Sequence, residues 1–181
     1  MRVLIFLMAI ISFSAISGET ISIPSYYVQL GIETGVPADI LYALSAKETN
    51  TSLSDGTYSP WPYSINFDGK SYFFDDYLAY RRACHQLIDS GHVNFDIGPF
   101  QVNYRYHKDD VNTIDDLIDI YQNGLVAARI IKRYYKQTGD WITAAGLYHN
   151  PANHNGRATI YSEKFAEFLE LIQNGRYRVR G

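Results

Sequence analysis

One stretch constrains this chain more than any other: "YSINFDGKSYFF", residues 63–74. Two short runs rich in aromatic and β-branched residues flank Asp68-Gly69. An Asp-Gly pair suits the positive φ angles of a two-residue hairpin turn, so the stretch predicts an antiparallel β-hairpin. Elsewhere the chain reads as helix. "SIPSYYVQLGIETG" predicts a first amphipathic helix closed by Gly35. "VPADILYALSAKE" predicts a second, with Pro37 in its first turn. "TNTSLSDGTYSPWP" reads as loop. "DDYLAYRRACHQLIDSG" predicts a helix stopped by Gly91, and "FDIGPFQVNYRYH" an irregular turn leading into a short helix. "TIDDLIDIYQNGLVAARIIKRYYKQTG" opens on Thr113 and Asp116, a capping box, and Asn123-Gly124 is the expected break into two helices. "DWITAAGLYHN" and "ATIYSEKFAEFLELI" complete the set. The expected fold class is mainly α (α+β), a compact helical domain with one small β-hairpin insertion.

The chain has 181 residues, a length that suits one domain with a real core. Hydrophobic residues make up 46% and charged residues 19%, which excludes a disordered chain. A formal charge of −3 gives no electrostatic footprint for nucleic acid. The N-terminus reads as an export signal. Met1-Arg2 is a basic start, "VLIFLMAIISF" an apolar run too short to span a bilayer, and Ala15 and Ser17 have cleavage-site spacing. Residues 1–18 are therefore set apart as a signal peptide, and 19–181 as the folded domain, periplasmic or secreted. Without Arg2 the mature charge is about −4. Cys84 is the only cysteine, so no intramolecular disulfide can form. It reads as a small buried hydrophobe.

Three stretches can carry chemistry. In "ILYALSAKETNTS", Leu41, Leu44 and Glu48 fall at i, i+3 and i+7, one face of a helix. Either the helix has ended and Glu48 is solvated, or an acid is held at an apolar wall. A carboxylic acid that stays protonated there can donate to a leaving glycosidic oxygen. In "DIGPFQVN", Gly98-Pro99 makes a turn, and the amides of Gln101 and Asn103 suit N-acetyl and hydroxyl groups of sugars. In "AAGLYHNPANHNG", small residues permit close helix packing and Tyr148 offers a flat ring with a polar tip. Asp55, Asp68, Asp75, Asp76 and Asp96 suit turns or caps. Asp96 is the one best placed to serve as a second carboxylate. The five histidines, His85, His92, His107, His149 and His154, lack metal-binding spacing. No metal and no cofactor are expected. Trp61, Tyr63, Phe67, Tyr72 and Phe73 form either a groove wall or a satellite core around the hairpin.

Taken together and in order, Glu-Thr after an amphipathic helix, Gly-x-x-Gln-x-Asn, and Ala-x-Gly-Leu-Tyr-x-Asn resemble the lytic transglycosylases. The likeness is to the soluble lytic transglycosylase type of catalytic domain, a lysozyme-like relative of goose-type lysozyme, and covers essentially the whole mature chain. The family's Glu-Ser pair falls on Glu48-Thr49. Its Gly-Leu-Met-Gln motif falls on Gly98-Pro99-Phe100-Gln101, and its Ala-Tyr-Asn motif around Tyr148 and Asn150. A late tyrosine motif matches "IYSEKF", with Tyr161. The Pro-Trp-Pro and hairpin insertion is similar to members associated with conjugative elements and type IV secretion. Pro99 and Phe100 depart from the usual Leu-Met, and His149 separates Tyr148 from Asn150.

The resemblance implies cleavage of the β-1,4 bond between N-acetylmuramic acid and N-acetylglucosamine of peptidoglycan, with a 1,6-anhydro product. It implies Glu48 as the catalytic acid and base. Thr49, Gln101, Asn103, Tyr148, Asn150 and Tyr161 would lie at the substrate. The implied partners are glycan strands and a secretion or conjugation apparatus, with the enzyme monomeric. Two alternatives stay open: a muramidase that admits water, and a non-catalytic peptidoglycan-binding scaffold.

Overall fold

The computed structural model describes residues 23–52 and 58–174; the predicted signal peptide, 1–18, lies outside the described residues. The described residues are mostly helical, with a small antiparallel sheet. Helices α1 (Ser25–Thr34) and α2 (Ala38–Thr49) lead into the paired strands β1 (Asn50–Ser52) and β2 (Tyr58–Pro60). Next come β3 (Ser64–Phe67), β4 (Lys70–Phe73), α3 (Tyr77–Asp89), β5 (Phe95–Ile97), β6 (Val102–Asn103) and the single-turn α4 (Tyr104–His107). Helices α5 (Ile114–Ile118), α6 (Ile120–Thr138), α7 (Trp141–His149) and α8 (Arg157–Gln173) complete the chain.

The helix ends follow local chemistry. Gly35, at φ 71°, closes α1 with its N–H on Gly31 O. Pro37 stands just before α2, and its carbonyl accepts the first helical hydrogen bond, from Leu41 N at 3.1 Å. Asp76 caps α3 through Ala79 N at 2.8 Å. The Thr113/Asp116 capping box opens α5. The break expected at Asn123-Gly124 falls at Asp119 instead, whose carboxylate accepts from Tyr121 N and Gln122 N at 2.9 Å each. α6 runs unbroken through Asn123-Gly124 because both residues serve packing. Asn123 is fully buried, with its amide donating to Ile97 O and Leu117 O at 3.0 Å. A Cβ on Gly124 would sit 2.5 Å from Leu30 Cδ1 and 2.7 Å from the Tyr26 hydroxyl, so the glycine makes room for these two α1 side chains against α6.

The hairpin forms as expected, with Asp68 and Gly69 at φ 52° and 70°. The sheet is larger than a hairpin, however, with strand order β4-β3-β5-β6. "FDIGPFQVN" is a second hairpin rather than an irregular turn. Strands of three and two residues have no readable period; β3 defines β5 by pairing with it, and β5 in turn defines β6. Ile65 pairs with Ile97, and both are buried. The alternate residues, Ser71, Asn66, Asp96 and Asn103, are paired in a row across all four strands. Because side chains alternate, that polar row occupies the face opposite the core. "TNTSLSDGTYSPWP", read as loop, contributes the short pair β1 and β2.

One apolar cluster joins α1 to α3, the sheet and α5 to α8, with Tyr42, Tyr80, Phe95, Phe100 and Phe165 among its largest fully buried side chains. Cys84 lies inside it, where burial pushes the thiol up to about 12. Trp61 donates its indole N–H to Phe74 O at 2.9 Å, and Tyr63 packs against Tyr77 and Tyr80. These rings fix the insertion to the domain. At the other side α7 and α8 touch across Gly146, where a Cβ would collide with Ser162 Oγ and the Ala158 carbonyl.

Candidate functional site

A cleft of about 770 Å³ opens where the polar row of the sheet faces the C-terminal ends of α2 and α7. Leu41 and Leu44 are fully buried, and Glu48 continues their stripe in the last turn of α2 with its side chain 13% exposed. The acid therefore stands at an apolar wall and lines the cleft. Tyr161, from α8, donates its hydroxyl to Glu48 Oε1 at 2.6 Å. The His149 ring stacks on Tyr161 with centroids 4.4 Å apart, and its Nδ1 lies 3.8 Å from Glu48 Oε1. Lys47 Nζ stands 5.4 Å from the Tyr161 ring centroid. Burial, and then the Glu48 charge, push the Tyr161 phenol well above its ordinary range, so it stays a donor.

The turn Gly98–Gln101 is fastened by side chains from four other elements. Ser45 and Thr49 donate to Pro99 O at 3.0 and 3.3 Å, and Tyr148 donates to Phe100 O at 2.8 Å. Ser64 Oγ donates to Gly98 O at 3.1 Å, and Asn123 accepts from Phe100 N at 3.4 Å. Gly98 has φ 76°, and a Cβ there would lie 2.9 Å from the Asn123 amide. The two unusual residues of the turn fit this frame. Phe100 is a core side chain with no exposure, and Pro99 contributes only its carbonyl. Gln101, at φ 48°, turns its amide nitrogen inward to Gly98 O at 2.9 Å and Ser64 Oγ at 3.0 Å.

Of the residues expected at a substrate, Glu48, Gln101, Asn103, Tyr148 and Asn150 line the cleft together. Tyr161 stands behind Glu48. Asn150 also accepts from His154 N at 3.0 Å, which ties down the chain after α7. Thr49 is placed differently: it is 3% exposed, and its hydroxyl bonds Ser45 O, Pro99 O and Trp61 N. It joins α2 to the turn and does not line the cleft. Of the aromatic insertion, Trp61, Tyr63, Phe67, Tyr72 and Phe73 all lie outside the cleft lining.

Asp96 enters the cleft from β5, beside Asn103, whose amide donates to it at 2.8 Å. Burial raises its carboxyl above the ordinary value; the Asn103 bond opposes this, and the Glu48 charge adds to it. The Asn103 Oδ1 is buried without a hydrogen-bond partner among the described residues. His149 and Arg133 also line the cleft, and the sequence places neither of them at a substrate. The neighbour of Tyr148 gave a faint signal for His149; Arg133 gave none.

Among the described residues no group of three or more His, Cys, Asp or Glu side chains is placed to hold a metal ion, and no helix is long and apolar enough to cross a membrane. No protein-family model, curated protein or solved structure matches this chain. What stands is a mainly α domain with a small antiparallel sheet, and a carboxyl group at the floor of a polar cleft between them.

Proposed function

We propose that this protein is a peptidoglycan lytic transglycosylase, a glycan-cleaving lyase of lysozyme-like type. The observation that carries the reading is Glu48: a carboxyl mostly removed from water, hydrogen-bonded on Oε1 by Tyr161, in a cleft lined by amides and hydroxyls. With Oε1 held, Oε2 is the oxygen left for substrate. In the proposed cycle Glu48 protonates the glycosidic oxygen as it leaves. The 2-acetamido oxygen of the muramic residue assists at the anomeric carbon. Glu48, now a carboxylate, takes the proton of the muramic 6-hydroxyl, which closes on the anomeric carbon and gives the 1,6-anhydro ring. Proximity favours this internal hydroxyl over water. Gln101, with its amide nitrogen turned inward, offers its carbonyl oxygen to substrate donors. The unpartnered Asn103 Oδ1 offers a second acceptor. Export by residues 1–18 would place the enzyme at the wall, acting as a monomer that opens it for a secretion or conjugation apparatus.

The test is muropeptide analysis of sacculi digested by the wild type and by Glu48→Gln. The wild type should release anhydromuropeptides, and the variant none. Undiminished release from Glu48→Gln would end the proposal. Asp96 favours a second reading, a muramidase: a second carboxyl in the same cleft could serve the anomeric carbon or a water. Products one water heavier, lost in Asp96→Asn, would select it. Binding to sacculi with no cleavage by the wild type would select the scaffold.

A further inference from the structure

The cleft is not uniform in charge. Its carboxyls, Glu48 and Asp96, face it from α2 and β5. From α6 comes Arg133, the only lysine or arginine among the described residues that line it. Arg133 follows buried Ile130 by one helical turn and precedes Tyr134, and all three line the cleft, so one face of α6 forms that wall. Arg133 is exposed and has no ion pair or hydrogen bond among the described residues. The contrast with Arg81 is direct: that guanidinium is engaged by both oxygens of Asp115 at 2.8 and 3.0 Å. A guanidinium keeps its charge at any relevant pH and presents a planar fork that matches a carboxylate. Two of the three histidines in the lining already have acid neighbours, His107 on Asp110 at 2.9 Å and His149 near Glu48. Arg133 is thus the permanent positive charge of the cleft with no internal partner.

We propose that Arg133 is a specificity-determining residue that takes a carboxylate carried on the lactyl arm of the muramic sugar, and so selects anionic glycans over neutral ones. This rests on the glycan-cleaving reading of the same cleft. The carboxylate has two sources: the free lactyl group of a strand stripped of peptide, or the acidic stem peptide of an intact one. A neutral chitooligosaccharide has neither.

The experiment measures equilibrium binding and cleavage of three soluble ligands: peptide-free glycan strands, peptide-bearing strands and chitooligosaccharides of similar length. Wild type, Arg133→Ala and Arg133→Lys are compared. The wild type should prefer the anionic strands, and added salt should weaken that preference. Arg133→Ala should lose about tenfold in affinity for an anionic strand and raise its KM, with kcat and chitooligosaccharide binding unchanged. Arg133→Lys should recover part of the loss. A loss confined to peptide-free strands assigns the lactyl carboxylate; one confined to peptide-bearing strands assigns the stem. The proposal is overturned if the wild type shows no preference for anionic strands, or if Arg133→Ala keeps it. Because binding is read separately, absent cleavage of every ligand would remove the enzymatic reading while still deciding the role of Arg133.

Discussion

Replacing Gly146 by alanine should separate the two helices that hold the site. A Cβ at this position falls inside contact distance of Ser162 Oγ and the Ala158 carbonyl oxygen, and 3.1 Å from the Ala158 carbonyl carbon. Ordinary carbon contacts begin near 3.5 Å, so α7 and α8 must part by roughly 1 Å. A side-chain oxygen can rotate away, but a helix carbonyl cannot. Overpacking of this kind costs about 1–3 kcal/mol. At about 2–4 °C per kcal/mol for a domain of this size, a mid-range cost lowers Tm by roughly 4–8 °C. The damage reaches the cleft. Tyr148 and His149 ride on α7 and Tyr161 on α8, so the stack of His149 on Tyr161 beside Glu48 is strained. A misplacement of roughly 1 Å costs about a hundredfold in turnover. Thermal melts followed by circular dichroism give the first number, and anhydromuropeptide release gives the second. The double variant Gly146→Ala/Ser162→Ala isolates the cause when set against Ser162→Ala alone, because the Ser162 hydroxyl also donates to Ile142 O at 3.0 Å. The double variant relieves the hydroxyl contact but not the carbonyl one, so Tm should stay low. Recovery of the wild-type Tm by the double variant, or a single variant within about 1 °C of wild type, would refute the reasoning.

Two further substitutions probe the carboxyls. Tyr161→Phe keeps the ring against His149 but removes the donor to Glu48 Oε1; a hydrogen bond to a charged group is worth about 1.5–3 kcal/mol, so kcat should fall roughly 10- to 100-fold with KM little changed. Asp96 tests pH dependence. Its folded carboxyl titrates above its ordinary value of 3.8, so between those two points the folded state binds more protons than the unfolded one. Stability then falls as pH rises through that window. Asp96→Asn, whose Oδ1 can still accept from Asn103, should flatten this segment of the curve. Its melts should show a higher Tm at neutral pH and no advantage below the window.

Much of the helical frame is legible in the sequence because its signals are local. Gly35, Asp76 and the Thr113/Asp116 box act within a turn or two of themselves. Asn123-Gly124 misleads for the opposite reason. Its residues answer chiefly to Ile97, Tyr26 and Leu30, partners that no local window of sequence contains. The strand β5 escapes notice because its definition comes from β3, some 30 residues earlier, and β6 because its two residues are defined only by β5. The site divides along the same line. Glu48 is visible because it continues a leucine stripe on its own helix. Thr49, its neighbour, looks equally available, but its burial under the Pro99 turn is a tertiary fact. Arg133 and His149 reach the cleft only through the packing of α6, α7 and α8.

The turn at residues 98–101 carries a last consequence. Its carbonyls are matched by donors from Ser45, Thr49, Ser64 and Tyr148, and its Phe100 N–H by Asn123. Pro99 has no N–H with which to build a tighter local bond. Cut from this chain and grafted onto another scaffold, the eight residues "DIGPFQVN" would keep their letters and lose their shape. The transplantable unit is the ring of side chains behind the turn, and a designer who wished to move this cleft would have to move α2, β3, α6 and α7 with it.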